Sequence, residues 1–402
     1  MTGPLAGIRI ADFTWVWAGP HATLQLAHLG AEVIRVEAVE RPCVTRLLPP
    51  WPDGQPGLNR SGYFNQFNQG KRSIALDLKT PEGLDLAHRL VACSDVVTEN
   101  FAAGVMDRLG LGYEALRALK PDVVMVALSG YGATGPEHEF VSYGPAQVPL
   151  SGMSSLTGYR DWPPMHVGIS YGDPNGGAHG AFAVLAALWH RERTGEGQYV
   201  DLSQWETGMA VLAEGLMDQA MNGSAPARDG NRDPHMAPHG IFRAAGDDRW
   251  IAIAVRSDGE WHRLAALMGL AAPERERYAT LAARKADEDA VEALVTGWTA
   301  TRTPEDLMAL LQDAGLAAAP AMTNRDLHDD AHLGARGFFV ELEHPEVGRR
   351  RHLGIPWTMS GTPCTVARPA PCFGEATDYV LGELLGIDAA TRADLRARGI
   401  VA

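Results

Sequence analysis

A chain of 402 residues, 46% hydrophobic and 21% charged, can bury a large core and is long enough for two domains. Its formal net charge of −14 repels a polyphosphate backbone, which argues against nucleic acid as a main partner and means that an anionic ligand needs a local basic patch. No uninterrupted apolar stretch reaches the roughly 18 residues of a membrane helix, no Lys/Arg-led apolar run opens the chain, and Cys43, Cys93, Cys364 and Cys372 form no CxxC pair, so a reduced cytoplasmic setting without membrane or metal is expected.

Residues 7–13 read as a β-strand, 20–28 as a helix and 32–37 as the next strand, a βαβ unit that implies a parallel sheet. The pattern recurs in a strand at 73–78, a helix capped by Thr80 with Pro81 at its first position, and a strand at 95–99; 122–128 is a further strand. Between the second and third strands, 41–69 is rich in Pro, Gly, Asn and aromatics and too long for a plain connector, which marks a site or an interface. A small-residue helix is expected at 178–190, a strand at 198–202 and a helix at 205–222. Residues 250–255, 258–268 and 304–315 suggest a smaller α+β domain, and a strand-like run at 338–342 precedes an amphipathic end. The expected division is 1–225 for a large domain, 226–330 for a small one and 331–402 returning to the large one.

Gly130-Tyr131-Gly132-Ala133-Thr134-Gly135 fits G-x-G-x-x-G after a strand, but Pro136 follows where a dinucleotide fold opens a helix, so it is read as a decoy. His235 and His239 have zinc-helix spacing, with Pro238 between them and no accompanying Glu, so a loop is expected. Arg41, Arg46, Lys71, Arg72, Lys79 and Arg108 lie near the predicted βα turns and are candidates for the basic patch, against a reading as solvated surface charge. Asp173, in Gly172-Asp173-Pro174-Asn175-Gly176-Gly177, reads alone as a turn. The glycines allow close approach and a helix follows, so an ionised, exposed carboxylate near a helix N-terminus is expected there.

These residues and their surroundings resemble the class III coenzyme A transferase family (CaiB/BaiF type), which includes formyl-CoA and carnitine-CoA transferases and the α-methylacyl-CoA racemases. The likeness runs through Leu5 to Phe13, Ala18-Gly19-Pro20, Leu29 to Glu37, Lys71-Arg72-Ser73-Ile74, Leu76 to Lys79, Glu99-Asn100-Phe101 and Arg193 to Gln198. It implies a Rossmann-like parallel sheet with a smaller α+β domain, a coenzyme A thioester as substrate with no tightly bound cofactor, and Asp173 as nucleophile. By the same resemblance the CoA contacts are Trp17, Ala18, Leu76, Asp77, Leu78, Lys79, Asn100, Phe101, Ala102, Arg108 and Tyr143. The family's basic residue after the second strand is matched here by Ala38, so Arg41 is expected to take over a phosphate contact. The glycine-rich lid of the formyl-CoA enzymes is absent; Gly230 to His235 occupy that region, which implies a different acceptor and lid.

The partners implied are an acyl-CoA donor, with succinyl-CoA expected, and a small carboxylic acid acceptor. An interlocked homodimer is expected, a heterodimer being the alternative. The rival activity is racemisation, but the racemases have a histidine at the position of Tyr143, and a phenol is a poor replacement for that base. Trp15, Trp17, Trp51, Tyr63, Phe64 and Phe67 are candidates for an apolar acyl pocket, or else for an interface or core.

Overall fold

The structure, a computed structural model, describes residues 3–224 and 227–402. As far as residue 224 the elements are β1 (Arg9–Asp12), α1 (Ala18–His28), β2 (Glu32–Ala38), α2 (Gly62–Phe67), β3 (Arg72–Leu76), α3 (Pro81–Ala92), β4 (Val96–Glu99) and α4 (Val105–Arg108). They continue with α5 (Tyr113–Leu119), β5 (Val124–Ser129), α6 (Gly144–Leu150), α7 (Met153–Leu156), α8 (Gly172–Thr194), β6 (Tyr199–Ser203), α9 (Gln204–Ala210) and α10 (Ala213–Asn222). The chain forms two compact units, 3–154 with 166–224 and 333–402, and 155–165 with 227–332.

In the first unit six strands form a sheet in the order β3-β2-β1-β4-β5-β6, every neighbouring pair parallel. Alternate residues of one strand feed opposite cores. Ile10, Val33 and Val126 join Ala22, Leu26, Ala181 and Val184 of α1 and α8, while Ala11, Ile34 and Met125 join Leu86, Leu90 and Leu116 of α3 and α5. This is the mixed α/β class expected. The strand order reverses between β1 and β4, so the loops leaving these two strands diverge and open a crevice at the carboxyl edge.

The helix expected from residue 178 begins at Gly172 and is 23 residues long. Its glycines are there for contact: a Cβ at Gly177 would lie 2.6 Å from the Ala18 carbonyl oxygen, and one at Gly180 would overlap Leu128. The single helix expected at 205–222 is two, α9 and α10, and the long loop of 41–69 contains α2, capped by Ser61.

The second unit has the antiparallel sheet β7 (His239–Arg243), β8 (Trp250–Ala254) and β9 (Ala317–Pro320). Helices Asp258–Leu267, Glu288–Thr299 and Pro304–Asp313 pack on it around the buried Trp261. Back in the first unit, β10 (Phe339–His344) and β11 (Gly348–Leu353) form a hairpin. The last residues run beside β3, where the Asp77 N–H donates to the Ile400 carbonyl at 2.8 Å and Leu76 bridges to Val401, covering the outer edge of the sheet. Among the described residues no helix is long and apolar enough to cross a membrane.

Candidate active site

The crevice walls are held by a side-chain clamp. Asn100, the first residue after β4, accepts the Trp15 N–H at 2.6 Å through Oδ1 and donates to the Trp15 carbonyl at 2.9 Å through Nδ2. Both backbone groups of the loop leaving β1 are thereby tied to the loop leaving β4. Next to Trp15, Val16 has φ of 60°, a strained conformation for a β-branched residue. Its N–H is directed to Cys43 Sγ at 3.3 Å.

Between these loops and the start of α6 lies a cavity of about 210 Å³. Trp15, Arg41, Asn100, Phe101, Ala102 and Tyr143 line it, with Phe140, Val141, Ser142, Gln204 and the carboxylate of Asp173. Asp173 is the second residue of α8 and only 7% exposed. Its Oδ2 accepts from the Ser170 hydroxyl, and the Ala18 N–H, the first of α1, also donates to the carboxylate. A Cβ at Gly144 would overlap the Asp173 carboxylate and the Ser170 hydroxyl, so α6 reaches this carboxylate only as bare backbone.

The exposed, fully ionised turn carboxylate expected from the sequence is therefore corrected. Burial pushes the Asp173 carboxyl above its usual range, and the Ser170 and Ala18 hydrogen bonds pull in the opposite direction. The start of two helices near one carboxylate favours its anion, while the loss of solvent keeps that anion from being stabilised as in water.

The basic patch resolves into separate roles. Arg46 is fully buried and grips Glu37 with two hydrogen bonds at 2.7 and 2.8 Å, its guanidinium 3.7 Å from the Phe64 ring centroid. Lys71 is fully buried, 3.4 Å from Asp12. Arg72 pairs with Glu32 at 3.2 Å and the exposed Lys79 with Glu40 at 3.0 Å. Arg108 is exposed on α4. Of the six cations, Arg41 is the one that lines the cavity with Asp173.

The other expected contacts divide likewise. Trp17 packs on Phe67 and Tyr63, with ring centroids 4.9 and 5.5 Å apart, and Ala18 supplies its N–H. Burial, and then the Asp173 charge, raise the Tyr63 phenol, which puts this cluster within electrostatic reach of Asp173. Leu76 is buried at the end of β3, Leu78 packs against the core and Asp77 accepts the Lys79 N–H at 3.1 Å; none of these lines the cavity. Of the aromatic candidates Trp15 alone lines it, and Phe64 lies in the core under Arg46.

Ser170 and Gln204 escaped the sequence reading, and Glu99 entered it only as part of a motif. Ser170 stands three positions before Asp173, a spacing with no motif behind it. Gln204 lines the cavity; its Nε2 donates to the Leu128 carbonyl at 3.1 Å and its buried Oε1 has no hydrogen-bond partner among the described residues. Glu99 is buried behind Phe101, whose N–H it accepts at 2.7 Å, and faces a second cavity of about 290 Å³ lined by Tyr113, Ser129 and Tyr199. Burial pushes its carboxyl up to about 7. The segment after the G-x-G-x-x-G motif opens no helix before α6, and among the described residues no group of three His, Cys, Asp or Glu side chains is placed to hold a metal ion.

The profile of CoA-transferase family III matches residues 5–377. The chain is 37% identical over 388 residues to the succinate–glutarate CoA-transferase of Agrobacterium fabrum, covering 96% of each protein. It is 32% identical over 401 residues to the succinyl-CoA–D-citramalate CoA-transferase of Chloroflexus aurantiacus, covering 99% of this chain and 98% of that one. A crystal structure of a CaiB/BaiF family protein from Brucella suis superposes with a TM-score of 0.88 at 33% identity, over 96% of this chain and all of that one. With these likenesses running nearly end to end, the chain belongs to CoA-transferase family III and is a CoA-transferase of the CaiB/BaiF type.

Proposed function

We propose that this enzyme moves coenzyme A from an acyl-CoA donor to a carboxylic acid acceptor through covalent intermediates on Asp173. The observation that carries this reading is a buried carboxylate, raised by desolvation, facing a small cavity between diverging strand loops. The Asp173 carboxylate attacks the thioester carbonyl; the new C–O bond forms, the C–S bond breaks, and CoA leaves as the thiolate. The thiolate then attacks the aspartyl carbonyl of the mixed anhydride, releasing the donor acid and leaving an aspartyl-CoA thioester. The acceptor carboxylate repeats the cycle in reverse. Since the overall exchange trades one thioester for another at little net cost, while the anhydride on the way is reactive, the site's work is to position reactants and exclude water.

In this reading the first unit binds CoA through Trp17, Ala18, Leu76 to Lys79, Asn100 to Ala102, Arg108 and Tyr143. Succinyl-CoA is the proposed donor, in keeping with the relatives' substrates, and the enzyme works as a cytoplasmic homodimer. Racemisation is disfavoured because Tyr143, and no histidine, lines the cavity with Asp173. The test is to mix the enzyme with succinyl-CoA, trap with hydroxylamine and find the modified peptide by mass spectrometry. Modification at Asp173, lost in Asp173→Ala, is expected. Its absence, together with solvent deuterium entering the α-carbon of a branched acyl-CoA, would overturn the reading in favour of racemisation.

A further inference from the structure

The cavity at Asp173 is too small for a whole CoA thioester. At about 210 Å³ it falls below the range of roughly 300–1,000 Å³ that encloses drug-sized ligands, so it suits the acyl group with no more of CoA than its thioester end. Its walls are apolar on several sides, at Trp15, Phe101 and Val141, and among the described residues lining it Arg41 is the one cation. The Arg41 guanidinium carbon stands 5.5 Å from the Trp15 ring centroid, and Trp15 is itself fixed by the Asn100 clamp. A stacked guanidinium keeps its N–H edge free, and that planar fork matches a carboxylate with two parallel hydrogen bonds. Unlike Arg46, Lys71, Arg72 and Lys79, Arg41 has no acidic partner among the described residues.

We infer that Arg41 is a specificity-determining residue that reads the distal carboxylate of a dicarboxylic acyl group while the proximal carbonyl lies against Asp173. The inference rests on the proposed transfer through Asp173 and names the substrate class of that same site: short dicarboxylic acids, held by the Arg41 charge at the distal end with the chain along the apolar walls. It replaces the expectation that Arg41 serves a CoA phosphate. A phosphate contact calls for a place outside the acyl cavity, whereas Arg41 shares the cavity with the nucleophile.

The test compares succinate with butyrate, and 4-aminobutyrate with both, as acceptors for wild type, Arg41→Met and Arg41→Glu, alongside the dissociation constant of free CoA. The ratio of kcat/KM for succinate to that for butyrate should fall about 10- to 100-fold in Arg41→Met, the loss of a charge-assisted hydrogen-bonded pair. In Arg41→Glu the preference should shift towards 4-aminobutyrate. An equal loss for succinate and butyrate with weaker binding of free CoA would overturn the inference in favour of a phosphate contact, and an unchanged ratio would overturn it outright. Hydroxylamine trapping on the wild type reports separately on Asp173, so a failure of the underlying reading is told apart from a failure of this one.

Discussion

Burial raises the Asp173 carboxyl above its usual range, and one hydroxyl and one N–H oppose the rise, so its anion lacks the hydration that blunts a carboxylate in water. A raised folded pKa means that the protonated form is favoured in the folded state, so the charge costs stability at pH values above the usual carboxylate range. Asp173→Asn keeps the shape and an acceptor for Ser170 and removes that charge. It should cut turnover by about three orders of magnitude or more. It should also melt at a higher temperature than wild type at pH 7, with the difference closing as the pH falls below about 4. Calorimetry across pH beside a CoA-transfer assay checks both halves. A variant that melts lower at pH 7 would show that the Asp173 charge is net stabilising.

From local propensity Asp173 was legible only as a turn before a helix, the family resemblance alone singling it out, and the reason is physical. Asp-Pro-Asn-Gly-Gly has the propensity of a turn, yet Pro174 is tolerated in the first helical turn, where its missing N–H has no intrahelical partner to lose. The glycines that weaken the helix are required by the close contact with α1. Long-range packing overrode local propensity at Asp173.

At the scale of elements, the site is made by two loops leaving β1 and β4, and each is held by a side chain on the β4 side. Asn100 ties the β1 loop, and Glu99 accepts the Phe101 N–H and so fixes the turn that presents Phe101 and Ala102 to the cavity. The strands themselves were readable from β-branched runs such as Val-Ile-Arg-Val, buried on both faces as a covered parallel sheet requires. The clamp was not, because it depends on two loops that meet only once the sheet has formed. Glu99 carries a testable consequence. Burial lifts its carboxyl from the usual 4.5 to about 7, so the folded state binds a proton that the unfolded state has released across that interval. Its contribution to stability is fully present below about pH 4.5 and is lost as the pH rises through 7, a change on the order of 3 kcal/mol. Glu99→Gln keeps an acceptor for Phe101 and does not titrate. Denaturant unfolding at a series of pH values should show that slope in wild type and not in the variant; parallel curves would refute the assignment.

Across the whole molecule, distant parts of the chain complete the parallel sheet. The buried pair of Lys71 with Asp12 and that of Arg46 with Glu37 link the long loop and β3 to β1 and β2. Such pairs are poor sources of net stability, but removing one partner strands the other charge without solvent. Their basic members looked in the sequence like ligand-binding cations, because charge alone does not reveal whether a partner is buried beside it. The final residues play a comparable part by apolar means. Ile400 and Val401 are buried in the core beneath β3, and the Ile400 carbonyl accepts the Asp77 N–H, so the tail closes an edge strand that ends at the segment 76–79 proposed to touch CoA. Ile400→Ala should cost about 3 kcal/mol by opening a cavity there. If the tail also sets the position of 76–79, the variant, measured well below its melting temperature, should bind free CoA more weakly while the succinate to butyrate preference stays near the wild-type ratio, since Arg41 and Trp15 line a cavity to which 76–79 contribute nothing. Calorimetry, CoA titration and the acceptor ratio separate the two effects, and a lower melting temperature with unaltered CoA binding would confine the tail to stability.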